Sequence, residues 1–245
     1  MMKKPYASLN AVQLRYLALC FMLLDHLWAT VIPGNDWMNW VGRLAFPIFA
    51  FQTAEGYFHT SDFKKYARRL LIFGLLSEIP LNLLMSGSVC YPFHQNVMFT
   101  LLLGLLALRL LGKARRENAW GRRLLSVLGA AGLVLLGELT WVDYGGRGVM
   151  TVVAFGVLRD FPGAKLCQLA AMVLLHVVDF PGRQLLIPLP WGIWEFPVQG
   201  FAVLSLGFLW LYHGEKGPRG KALQMGSYLF YPLHMVVLYG IQQIL

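Results

Sequence analysis

A succession of apolar runs, parted by short clusters of lysine and arginine, constrains this chain more than any other feature. The runs cover 13–32, 38–56, 70–85, 97–112, 124–140, 149–158, 166–178, 193–212 and 225–244. About twenty apolar residues carry a helix across a hydrocarbon core of ~30 Å. A backbone in lipid must also satisfy its own hydrogen bonds, as a helix does. The pattern predicts an all-α, polytopic transmembrane bundle of about nine spans, a single integral membrane domain over 1–245. The runs at 149–158 and 166–178 are short for full crossings, so the topology of 146–192 stays open.

Composition excludes the main alternative. Hydrophobic residues make up 57% of the chain and charged ones 13%, about half the charged share of an ordinary soluble domain. The net charge of +9 would suit a nucleic-acid partner only if it gathered on one face. It is instead distributed between the spans. With the N-terminus in the cytosol and sides alternating, every Lys and Arg except Arg43, Arg147 and Arg183 falls inside, as the positive-inside bias requires. The lipid bilayer is the expected partner and nucleic acid is not. The first run is long for a signal-peptide core and more spans follow it, so no cleavable signal is expected. Cys20, Cys90 and Cys167 are too scattered for a disulfide framework. No zinc-type motif is present, so no metal is expected. Neither a Gly-rich phosphate loop nor a GxSxG elbow occurs.

Ionisable residues within the runs mark candidate functional positions, since each costs free energy in lipid unless it faces a partner or a cavity. Asp25 and His26, in MLLDHLW, lie side by side. His26 is ~16 Å along a helix from Arg15, near the membrane midplane. Adjacent helical positions point ~100° apart, so each needs a partner on another span. Glu78 reaches a similar depth, with Asn82 one turn on. Pro80 is expected to loosen the ladder there. Arg43 needs a carboxylate, and either Asp25 or Glu78 serves. His234 is a further midplane histidine. Structural clamping between helices is the alternative to a chemical role for these groups.

Two polar sets lie nearer the faces. On the inner side, Glu55, Tyr57, His59 and Thr60 precede Tyr66, Arg68 and Arg69, and YHGEKGPRGK carries Lys216 and Arg219. Such basic, glycine-containing edges either anchor the spans or hold a phosphorylated cofactor. On the outer side, His94, Gln95 and Asn96 join Glu138, Asp143, Tyr144 and Arg147. Asp143 with Arg147 either pins a turn or lines the mouth where an external substrate docks.

Several stretches together resemble the TraX family of membrane proteins, named for conjugal pilus acetylation. They are MLLDHLW at 22–28, VGRLAFPIFAFQTAEGYFHT at 41–60, Tyr66 with RRL at 68–70, and SEIPLNLL at 77–84. HQNVMFTLLLGLLAL at 94–108, VDYGGRGVM at 142–150, YHGEKG at 212–217 and YPLHMV at 231–236 continue the pattern. His213 departs from it, the family usually having Asn there. A shorter likeness links Arg15 and His26 to the larger integral-membrane acyltransferases, which carry an Arg, ten residues and a His on the first span.

The resemblance implies a multi-pass protein of the bacterial inner membrane that moves an acetyl group from cytosolic acetyl-CoA to an external acceptor. That acceptor is a protein N-terminus, a glycan or a small molecule. Under this reading His26 is the base, with His59 competing, Asp25 or Glu78 orients it, and Arg43 or Asn82 faces the developing oxyanion. Arg15, Tyr57, Arg68, Arg69, Lys216 and Arg219 hold the donor. Asn82, His94, Gln95, Asn96, Asp143, Arg147 and His234 meet the acceptor. Two other classes remain open: a proton-coupled small-solute transporter built on the buried Asp, His and Glu, and a non-enzymatic envelope or pilus assembly factor.

Overall fold

The computed structural model describes residues 8–178, 182–218 and 220–245. Ten α-helices carry most of them: α1 Ala11–Thr30, α2 Asp36–Gly42, α3 Ala45–His59, α4 Phe63–Ser86, α5 Val97–Arg116, α6 Trp120–Leu139, α7 Gly145–Val157, α8 Ala164–Val173, α9 Ser205–Leu209 and α10 Lys221–Gln242. A π-helical turn, Leu174–Val178, prolongs α8, and a 3-10 stretch, Val198–Leu204, leads into α9. Among the described residues, α4 and α5 are long and apolar enough to cross a membrane, by length and composition.

The sequence and the structure part at 184–197. Gln184–Leu189 and Gly192–Pro197 form an antiparallel hairpin, β1 and β2, paired from Gln184↔Pro197 to Leu189↔Gly192. The apolar run expected to be helical from 193 therefore begins as a strand and turns helical only at Val198. Pro188, Pro190 and Pro197 explain the difference. Proline lacks the amide that a helix interior needs, and the flanking Ile, Leu, Trp and Phe favour a pleated backbone. Pro190 and Trp191 make the two-residue loop, followed by Gly192 at φ 145°.

By its contacts the chain divides into two compact units, 1–49 with 165–230, and 50–164 with 231–245. In the first, α1 packs on α2, and the 3-10 stretch meets α2 and the π turn. Asn10 caps α1, its side chain accepting the amides of Val12 and Gln13 at 3.0 Å while Gln13 reaches back to the Asn10 amide. The Leu211–Gly217 loop is tied to this start. The Leu9 and Ala11 amides donate to the Leu211 and Glu215 carbonyls at 2.9 Å, and Gly217 lies on the Asn10 side chain.

The second unit is built on α5, which packs against α4, α6 and α7. Ala107, Ala130 and Val149 centre its apolar core. Small residues set the spacing. A Cβ at Gly104 would lie 2.5 Å from Val152, and one at Gly137 would lie 2.9 Å from Val149. Close approach through glycine is the usual means of helix association where lipid supplies no hydrophobic drive.

Candidate functional site

Three clusters of polar side chains stand out among the described residues. The first lies in the first unit, where α2 ends against α1. Gly42 makes that approach: a Cβ on it would sit 2.5 Å from the Asp25 Cβ. The next residue, Arg43, then meets Asp25, its Nη2 donating to Oδ2. Asn39 Nδ2 donates to Asp25 Oδ1 at 2.8 Å. Beyond Arg43 the chain of contacts continues to Gln199 Oε1 at 3.5 Å, and Gln199 Nε2 lies 3.2 Å from His176 Nδ1. His176 is fully buried, with the Phe46 ring 6.2 Å away. Of the two carboxylates open to Arg43 in the sequence, Asp25 takes it. His26 is half-buried on the same helix, and its carbonyl accepts the Thr30 hydroxyl at 2.6 Å. Arg15 is half-buried near the start of α1, while Lys216 is exposed in the loop bound to that start. Arg219 lies outside the described residues.

The second centre joins α4, the start of α5 and the α6–α7 turn. Asn96 caps α5, accepting the Met98 amide at 3.0 Å and donating to the Gly74 carbonyl at 2.8 Å. Its side-chain amide also donates to Glu78, whose Oε1 receives the Asn96 backbone amide at 2.9 Å. Asn82, one turn past Glu78, donates to the Val89 carbonyl at 3.3 Å. Pro80 lies inside α4, which continues past it to Ser86. Gln95 and Val142 form a parallel bridge, which sets His94 Nε2 3.7 Å from Asp143 Oδ1. Contact with Asp143, with Glu78 adding its charge, holds the His94 imidazole above its ordinary value although burial opposes this.

Trp141 at φ 51° and Tyr144 at φ 65° flank Asp143 in left-handed conformations that bulky residues rarely adopt. Strain of this kind gathers at functional sites. Thr100 Oγ1 donates to the Asp143 carbonyl at 2.5 Å, and the Gly146 amide donates to Glu138 at 2.9 Å, with Arg147 3.8 Å from the same carboxylate. An apolar cleft of about 500 Å³ opens beside this turn between Phe99, Leu136 and Trp141. On α10, buried His234 lies against the Tyr231 ring, the centroids 5.9 Å apart.

The third centre is at the opposite end of α5. Glu55 receives Arg159 Nε on Oε1 at 2.5 Å and has His59 Nε2 3.3 Å from Oε2. Tyr57 rests its hydroxyl on Gly112, where no Cβ would fit. Tyr57, Phe63, Lys64, Arg109, Arg115 and Arg116 are among the residues lining a pocket of about 740 Å³. Arg68 is exposed, and Arg69 lies over the Tyr66 ring at 5.6 Å. Among the described residues of the expected donor set, Tyr57 is the one on this wall.

Asn39, His176 and Gln199 escaped the sequence reading. A single polar residue in an apolar run has no periodic signature, although the cost of burying His176 was a signal available from the sequence.

A protein-family model described as TraX protein matches residues 10–242. The chain belongs to the TraX family. TraX residues 10–242 reach from the cap of α1 to the last turn of α10, so both units fall within the match. The chain is also similar to a protein described as probable fimbrial assembly protein FimC, serogroup H1, of Dichelobacter nodosus. Identity is 31% over 245 residues, covering 94% of this chain and 94% of the relative. No solved structure matches. With its apolar α4 and α5, the chain is a membrane-associated TraX protein.

Proposed function

We propose that this TraX protein is an inner-membrane acyltransferase, a single nine-span membrane domain with a cytosolic N-terminus. It moves an acetyl group from cytosolic acetyl-CoA to an amine or hydroxyl presented from outside. The observation that carries the reading is the Asp25–Arg43 pair beside His26. Packing alone does not call for a charged pair and an imidazole at half depth, and intramembrane ionisable groups ordinarily mark a reactant path.

His26 is the base. Its neutral imidazole takes the proton of the attacking amine or hydroxyl. Acetyl-CoA supplies the thioester carbonyl. As the new C–N or C–O bond forms the C–S bond breaks, and His26 returns the proton to the departing thiolate. Arg43, held by Asp25, keeps positive charge close to where the carbonyl oxygen turns negative. The turn around His94 and Asp143, with the cleft beside it, receives the acceptor.

Proteoliposomes carrying His26→Ala, loaded with acetyl-CoA and offered an external amine, test this. Transfer is lost while the protein stays folded and inserted. Near-normal transfer would remove His26 from the mechanism and promote His59.

The relative's description as a fimbrial assembly protein favours a second reading, in which the acceptor is a filament subunit. If a transfer-dead variant still supports filament formation, assembly is independent of the chemistry.

A further inference from the structure

The pocket at the basic end of α5 takes Tyr57 from the donor set that the sequence suggests, but none of its lining cations. Its walls come from the end of α3, the turn at 60–62, the first residues of α4, the last turns of α5 and the end of α7. Four cations line it: Lys64, Arg109, Arg115 and Arg116. Among the described residues, none of the four has an ion pair with a carboxylate. Asp62 is the one acid on the wall, and it is engaged as the cap of α4, accepting the Lys65 amide at 2.9 Å.

Cations that merely anchor a span reach outward to the headgroups. These four instead surround a concavity whose depth depends on bare backbone. A Cβ at Gly112 would strike the Tyr57 hydroxyl, and one at Gly156 would strike the Leu108 side chain. Arg109 is held across the Phe63 ring at 5.1 Å, its guanidinium facing the same space. The start of a 24-residue helix adds the positive end of its dipole. Thr60 and Ser61 supply hydroxyls, and Tyr57, Phe58 and Phe63 supply aromatic surface. A volume near 740 Å³ lies within the range of sites for whole small molecules.

We propose that this pocket binds the phosphate groups of a nucleotide, with the aromatic wall against its base. Arg109, Arg115 and Arg116 are the principal contacts, since guanidinium forks pair with phosphate oxygens two at a time. Naming that nucleotide as the phosphorylated end of the acyl donor rests on the acyl-transfer reading. The preference for phosphate does not.

A phosphate can also come from an anionic lipid headgroup, so the test has arms for both sources. The full chain is placed in nanodiscs of zwitterionic lipid and titrated with CoA, 3′-dephospho-CoA and adenosine 3′,5′-bisphosphate. CoA and the bisphosphate bind, and dephospho-CoA binds at least fivefold more weakly. Arg115→Ala with Arg116→Ala weakens CoA binding at least tenfold, and Arg109→Ala weakens it severalfold. Arg115→Lys, which keeps the charge, loses less. These arginines are exposed, so melting temperature stays within a few degrees of the parent. Unchanged CoA affinity in the variants would overturn the proposal. So would binding of anionic-lipid nanodiscs with no response to the bisphosphate. Arginine-dependent bisphosphate binding without acyl transfer would sink the acyl-transfer reading and leave the pocket standing. Transfer with an unchanged KM for acetyl-CoA in the double variant would do the reverse.

Discussion

Gly42 and Asp25 touch with no room for a Cβ between them, and that contact brings Arg43 onto its carboxylate. One glycine thus determines where a charged pair forms inside an apolar fold. Gly42→Ala is expected to push α2 off α1 and cost about 2 kcal/mol through overpacking. Asp25→Ala leaves the guanidinium with its nearest carboxylate gone and costs about 3 kcal/mol. Thermal unfolding in detergent measures both. The double variant should cost less than the sum, because each change breaks the same pair.

His94 gives a pH signature. Asp143 raises its ionisation above the ordinary 6.5, so the charged pair stabilises the fold fully below pH 6.5 and fades as pH climbs through the raised value. The melting difference between parent and Asp143→Asn should therefore be largest in acid and vanish in alkali. Ring titration of His94 should move toward 6.5 in the variant. A pH-independent difference would mean that Asp143 acts through backbone geometry alone.

Asn96→Ala removes the cap of α5 and the side-chain hydrogen bonds to Glu78 and to the Gly74 carbonyl. A loss of about 2 kcal/mol is expected, read by unfolding. Hydrogen exchange should rise first in the opening turn of α5.

The hairpin is held at its base. Arg183 Nη2 donates to Asp36 Oδ2 at 2.7 Å and lies over the Trp28 ring at 5.2 Å, while the Trp28 indole donates to Asp36 Oδ1 at 3.2 Å. Arg183→Ala should speed proteolysis within 184–197 without altering the other helices. The Arg183 guanidinium lowers the Asp36 ionisation from the ordinary 3.8. This contact therefore persists above that pH and is lost as pH falls through the lowered value.

The helices were legible because apolar runs in lipid have one common solution. The hairpin was not, since apolar content alone does not separate strand from helix. Arg43's need for a carboxylate was legible, but the choice between Asp25 and Glu78 depended on packing at Gly42. Glu78 is drawn instead to the α5 cap by Asn96. The inner basic clusters were visible as charge. Helical phase decides that Arg109, Arg115 and Arg116 rather than Arg68 and Arg69 face the pocket, and a single sequence does not give that phase.

One continuous helix, α5, joins the Asn96 knot to the arginine-lined hollow. Nineteen helical steps separate Asn96 from Arg115, roughly 29 Å. No breathing of loops shortens that interval, because hydrogen-bonded backbone spans it. A phosphate seated at one end and an acceptor docked at the other stay a bilayer core apart, so the distance must be crossed by a flexible tether or by the acceptor chain itself.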